Sequence, residues 1–154
     1  MLLENIGWKG LLIEPSSQFE DCKKNRVANS IKYCVTSKSN EEIKFYEYPD
    51  KNFSSTNPIH GSAIKKISSI TLTDALKLVN APKFINFLSI DIEGGELDAL
   101  YGMDFKIYYV KCIVIEHNNI QSNQEKIYQL LSENNFKRVF ENQTLYEDWY
   151  INER

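Results

Sequence analysis

The chain has 154 residues, which suits one domain and leaves no room for two. Its 42% hydrophobic and 25% charged residues match an ordinary globular protein that can bury a core without disulfides or metal. The formal net charge of −3, with Lys and Arg spread along the chain, excludes the clustered basic face of a nucleic-acid binder. Apolar runs such as Phe84 to Ile90 are too short to cross a bilayer, so no membrane partner is expected. The N-terminus lacks a basic stretch followed by a long apolar one, so no signal peptide is read there. Cys22, Cys34 and Cys112 are isolated and form no Cys-x-x-Cys pair, which fits reduced core thiols in a cytoplasmic protein.

In chain order, Met1 to Ile6 has the character of a helix tail closed by Gly7. Gly10 to Ile13 is a short continuous apolar run, the mark of a strand buried on both faces, and Glu14-Pro15 ends it. Ser16 or Ser17 caps a helix reaching about Arg26. Ile31 to Thr36 and Glu41 to Tyr48 are expected as strands joined by the polar turn Ser37 to Asn40. Pro49 to Ala63, rich in Ser, Asn, Pro and Gly, is a long connector. A short strand is expected over Ile67 to Leu72, then a helix capped by Thr73 and running to Val79, with Pro82 after its end. Phe84 to Ile90 is a central strand, Asp91 to Gly95 a turn, and Glu96 to about Tyr101 a helix with acids at its positive end. Val110 to Ile115 is a further buried strand ending in Glu116-His117-Asn118, and a helix follows from about Asn123 to Asn134. Phe136 to Glu141 and Thr144 to Ile151 close the chain as a hairpin. Alternating strands and helices imply an α/β fold: an open, mostly parallel sheet with an antiparallel hairpin at the C-terminal edge.

In such sheets ligands bind outside the carboxyl ends of the strands. Those ends are Glu14, Thr36-Ser37, Asp91 to Glu93 and Glu116-His117-Asn118, and three of the four carry carboxylates. Acids gathered at one sheet edge repel each other unless something uses them. Glu14 has two oxygens spaced to accept the vicinal hydroxyls of an adenosine ribose; the competing reading is a solvated acid before a turn. Asp91 can face a cofactor amine or a substrate hydroxyl, and Gly94-Gly95 lets a ligand come close. Glu93 is a candidate general base for an oxygen nucleophile, or alternatively a cap for the helix that follows. Glu116 and His117 could orient substrate, act as a base, or hold a metal with Asp91. Metal is the weaker reading because one His and a few acids form no recognisable ligand spacing. Glu96 and Asp98 read as ordinary first-turn helix acids, His60 as a solvated loop residue, and the cysteines as core.

These residues carry a likeness. Gly7-Trp8-Lys9-Gly10 through Ile13-Glu14-Pro15 resembles the second-strand signature of FkbM-type methyltransferases. Asp91-Ile92-Glu93-Gly94-Gly95-Glu96 is similar to their DxEGxE motif, Thr71 to Leu76 to the segment before the central strand, and Val114 to Asn118 to the next strand end. The ordered set covers nearly the whole chain. The resemblance implies a Rossmann-like class I fold over 1–154, S-adenosyl-L-methionine as methyl donor, and a hydroxyl of a sugar or small molecule as acceptor. It places Glu14, with Pro15, at the cofactor ribose, Thr36-Ser37 near the adenine, and Asp91 near the methionine part or the transferred methyl. Catalytic work then falls to Asp91, Glu93, Glu116 and His117.

Family members carry a strand and a glycine-rich loop ahead of the second-strand signature, and the chain shows no Gly-rich segment before Glu14. The expectation is therefore a truncated domain whose first strand is missing from the sheet centre. The strands ending at Glu14 and Asp91 would then close on each other, or a missing N-terminal segment, a partner or a second copy would fill the gap. The alternative is a noncatalytic domain of the same fold that binds a ligand or a partner. A nicotinamide oxidoreductase would need a Gly-x-Gly-x-x-Gly turn that the chain lacks.

Overall fold

The computed structural model describes residues 2–47, 54–55, 63–117 and 120–154. His60, the rest of the connector apart from Ser54, Ser55 and Ala63, and Asn118 lie outside the described residues. Helix α1 (Leu2–Asn5) is closed by Gly7, whose φ of 88° is a left-handed conformation that suits glycine. Strand β1 (Leu11–Ile13) pairs in parallel with β2 (Asn29–Ile31), with α2 (Phe19–Asn25) between them. Strands β3 (Cys34–Val35), β4 (Glu42–Glu47), β5 (Ser54–Ser55) and β6 (Ala63–Ile70) form a second sheet in the order β3-β6-β4-β5. Helix α3 (Leu72–Leu78) leads to β7 (Phe84–Ile90), α4 (Glu96–Tyr101), β8 (Tyr109–Glu116), α5 (Gln121–Glu133), β9 (Phe136–Val139) and β10 (Glu147–Asn152). The last four strands make a third sheet, β7-β8-β10-β9.

The fold is thus a mixed α/β one, and the expected predominance of parallel pairing is corrected. β1–β2, β3–β6 and β7–β8 run parallel, whereas β4–β5, β4–β6, β8–β10 and β9–β10 run antiparallel. The C-terminal hairpin is present as expected, with Tyr150 opposite Arg138. The stretch expected as one strand over Ile31 to Thr36 breaks at Lys32-Tyr33, because its first part pairs with β1 and its second with β6. β1 and β7 do not pair with each other and lie in separate sheets. Nor is β1 buried on both faces: Leu11, Leu12 and Ile13 are all half-buried. Helix α3 starts earlier than Thr73 because Thr71 is its cap, the hydroxyl accepting from the Asp74 amide at 3.0 Å. Helix α2 starts later than the serines, after Gln18, because Ser16 serves the preceding turn: its Oγ accepts from the Gln18 amide at 3.1 Å.

The core lies where α4 and α5 cover the third sheet. Leu100, Ile113, Ile115, Ile127, Leu131 and Tyr150 are all but inaccessible to solvent there. Each such side chain contributes roughly 2 kcal/mol by leaving water. This packing fixes the carboxyl ends of β7 and β8 side by side, in the register Ile90 opposite Ile115. Among the described residues no helix is long and apolar enough to cross a membrane.

Candidate active site

The turn after β7 is built by its own backbone and one buried acid. Glu93 and Gly94 take φ values of 58° and 103°, two successive left-handed residues that reverse the chain. Gly95 is the N-cap of α4. The Glu96 side chain folds back so that Oε1 accepts from the amides of Ile92 (3.1 Å) and Gly94 (2.9 Å), and the residue is 3% exposed. Glu96 is therefore the clamp of this turn and more than a first-turn helix acid. The signal for it was present in the Gly-Gly-Glu sequence, since a tight turn of free amides needs an acceptor.

The clamp presents Asp91 exposed and Glu93 half-buried at the sheet edge, beside half-buried Glu116 at the end of β8. Each of these three residues offers a carboxylate oxygen, and the three atoms lie within 4.8 Å of one another. The structure thus brings together three of the four residues expected to be catalytic. Burial, and then the charges of Asp91 and Glu96, push the Glu93 carboxyl above the ordinary carboxylate range. A carboxyl so placed gains proton affinity, which a general base needs. The same three oxygens have a spacing that could also hold a divalent cation, with Glu93 in the place of His117, which the weaker metal reading had grouped with Asp91 and Glu116.

His117 is not in that group. It is 7% exposed, and its Nε2 lies 3.3 Å from Gln124 Nε2 of α5 and 3.8 Å from Asp148 Oδ1 of β10. Asp148 also accepts from Gln124 (3.1 Å) and Tyr150 (3.3 Å) and meets Arg138 at 3.4 Å. The His117 ring belongs to this buried polar network. Its amide donates to Tyr146 O at 2.9 Å, which ties the end of β8 to the start of β10.

At the end of β1, Glu14 and Pro15 are half-buried. The Glu14 Oε1 accepts from the Ser16 amide at 2.8 Å, so the acid does stand in a turn, as the competing reading had it. Among the described residues its second oxygen accepts no hydrogen bond. Glu14 also lies near Cys34: burial and then the Glu14 charge push that thiol up to about 12, which makes it inert core.

Thr36 and Ser37 follow β3, with the Thr36 amide bonded to Ile70 O at 3.1 Å. The Ser37 amide donates to Asp98 Oδ2 of α4 at 3.0 Å. Behind this, a Cβ built on Gly102 would stand 2.5 Å from Thr36 O, so only glycine allows α4 to end so close to the loop. Asp98, expected as no more than a first-turn helix acid, and Gly102, for which nothing was expected, thus join the Thr36-Ser37 loop to the helix of the DxEGxE segment. A cavity of about 630 Å³ lies between α5 and β9, lined in part by Tyr128, Arg138 and Arg154, and contains none of these residues.

Comparison with curated proteins and with solved structures yields no match. The model of the Methyltransferase FkbM domain matches residues 2–138, a span holding the ends of β1, β3, β7 and β8 just described. The chain belongs to the FkbM methyltransferase family.

Proposed function

We propose that the chain transfers a methyl group from S-adenosyl-L-methionine to a hydroxyl of a sugar or small molecule. The observation that carries this reading is the convergence of Asp91, Glu93 and Glu116 at the ends of two adjacent parallel strands, with the Glu93 carboxyl raised. The position agrees with the rule for α/β sheets. The residues fit the cofactor: Glu14 keeps one carboxylate oxygen for a ribose hydroxyl while the other is fixed by Ser16. The backbone at Thr36-Ser37, held by Asp98, supports the adenine side. When bound, the cofactor supplies an electrophilic sulfonium methyl.

The chain's own part is alignment and proton handling. Asp91, exposed beside the turn, orients the donor or the acceptor hydroxyl. Glu93 takes the acceptor's proton as the oxygen becomes a nucleophile, a contribution of about 10² to 10⁴ in rate. Glu116, with a carboxylate oxygen within 4.8 Å of those of Asp91 and Glu93, completes the group of acids that faces the acceptor.

The test is titration calorimetry with S-adenosylhomocysteine on the native chain and on Glu14→Ala, followed by transfer from methyl-labelled donor to a panel of sugars and hydroxylated small molecules. Binding that Glu14→Ala abolishes, with label on an acceptor oxygen, supports the reading. A folded native chain that does not bind sinks it.

A further inference from the structure

The turn that carries Glu14 is anchored from another sheet. The Ser17 amide donates to Glu47 Oε1 at 2.6 Å, across thirty positions of sequence. Glu47 ends β4 and is 6% exposed, and its other oxygen, Oε2, is paired with Lys65 Nζ of β6. Within the turn, Ser16 is 3% exposed, donates its amide to Glu14 Oε1 at 2.8 Å and receives the Gln18 amide on its Oγ. The bonds run in series: Lys65 fixes Glu47, Glu47 fixes Ser17, and the Ser16 amide beside it fixes the Glu14 carboxylate.

A buried carboxylate is an expensive way to tie two segments. Burial alone would raise Glu47, but the bonds from Lys65 and Ser17 outweigh it and hold its carboxyl at about 2. It is a full charge whose first oxygen is spent on one backbone amide, and an apolar contact would not set that amide's direction. What the direction of the Ser17 peptide controls is the neighbouring Ser16 amide and, through it, the rotamer of Glu14.

We propose that Glu47, with Lys65, is a positioning residue for the cofactor, holding the Ser16-Ser17 turn so that the Glu14 carboxylate stands ready for the ribose. This rests on the methyltransferase reading given above.

The experiment is a double-mutant cycle read by calorimetry with S-adenosylhomocysteine, using the native chain, Glu47→Gln, Glu14→Gln and the double variant, with melting temperatures measured in parallel. Loss of a charged hydrogen bond predicts that Glu47→Gln weakens binding about tenfold or more. If Glu47 acts through Glu14, the same change in the Glu14→Gln background costs less than about twofold. Lys65→Met, which leaves the Glu47 side chain in place, weakens binding in the same direction and serves if Glu47→Gln does not fold. Native affinity in a folded Glu47→Gln or Lys65→Met chain overturns the proposal. So does an equal cost in both backgrounds, which is what a tie that only stabilises the fold would give. A native chain that binds nothing overturns the methyltransferase reading and this proposal together; a native chain that binds, with additive variants, overturns this one alone.

Discussion

Replacing Glu93 by Gln separates stability from catalysis at one position. One carboxylate oxygen from each of Asp91, Glu93 and Glu116 lies within 4.8 Å of the other two. Two unit charges at that distance in water-like surroundings repel by about 1 kcal/mol. Glu93→Gln keeps the shape and the left-handed backbone and removes one of the three charges. It is expected to stabilise the folded chain by about 1 kcal/mol at neutral pH, a rise of about 2–4 °C in melting temperature for a protein of this size. The sign of the pH dependence follows from the raised carboxyl of Glu93. The folded state holds that proton more tightly than the unfolded state, so the native chain loses stability as pH rises from the ordinary 4.5 through the raised value. The advantage of Glu93→Gln therefore vanishes below about pH 4, where the native carboxyl is protonated too. Methyl transfer should fall by about 10² to 10⁴ in kcat with little change in cofactor affinity. Thermal unfolding across pH 4 to 8 and initial rates with labelled donor read the two effects. A variant no more stable than the native chain at pH 8, or one whose gain is equally large at pH 4, refutes the electrostatic argument. Undiminished transfer refutes the role as base.

Two further predictions follow from the framework around the site. Glu96→Ala leaves the Ile92 and Gly94 amides without their acceptor in a buried turn and is expected to cost about 3 kcal/mol, measured by denaturant unfolding. A cost below about 1 kcal/mol would mean the turn holds itself. Gly102→Ala drives a methyl to 2.5 Å from Thr36 O, so the end of α4 and the Thr36 loop must separate, at about 2 kcal/mol of stability. The same change should weaken S-adenosylhomocysteine binding, and full native stability in Gly102→Ala would show that the loop yields freely.

Much of the fold was legible because several elements are locally self-consistent. Phe84 to Ile90 is a mainly apolar run, broken only by Asn86 and Ser89, between Pro82 and Asp91, and β7 has those same bounds. β8, α5 and the final hairpin fall within a few residues of expectation, since each has a strong apolar period and a polar boundary. What the pattern could not carry is the choice of partner. Nothing local says that β6 inserts between β3 and β4, or that the chain changes sheets at Lys32-Tyr33. Strand pairing is decided by what remains unpaired elsewhere, and a run of three or two residues holds too few side chains to specify it.

The candidate site divides along the same line. That acids at strand ends converge follows from the topology of parallel strands, so Asp91, Glu93 and Glu116 could be found from the sequence. The direction in which each side chain turns could not. His117 follows Glu116 directly, yet adjacent residues at a strand end point to opposite faces, and its ring packs with Gln124 and Asp148. That Glu96 and Asp98, read as ordinary first-turn helix acids, and Glu47 hold backbone amides was hidden for a related reason. Each spends its carboxylate on backbone amides, and for Asp98 and Glu47 the amide lies 61 and 30 positions away. Acids that touch a substrate and acids that hold the loops touching it have the same composition signature. The difference appears only when each amide of a turn is asked where its hydrogen bond goes. That question separates three glutamates: Glu14, proposed for the ribose, is fixed by the Ser16 amide, Glu47 accepts from the Ser17 amide, and Glu96 clamps the turn after β7.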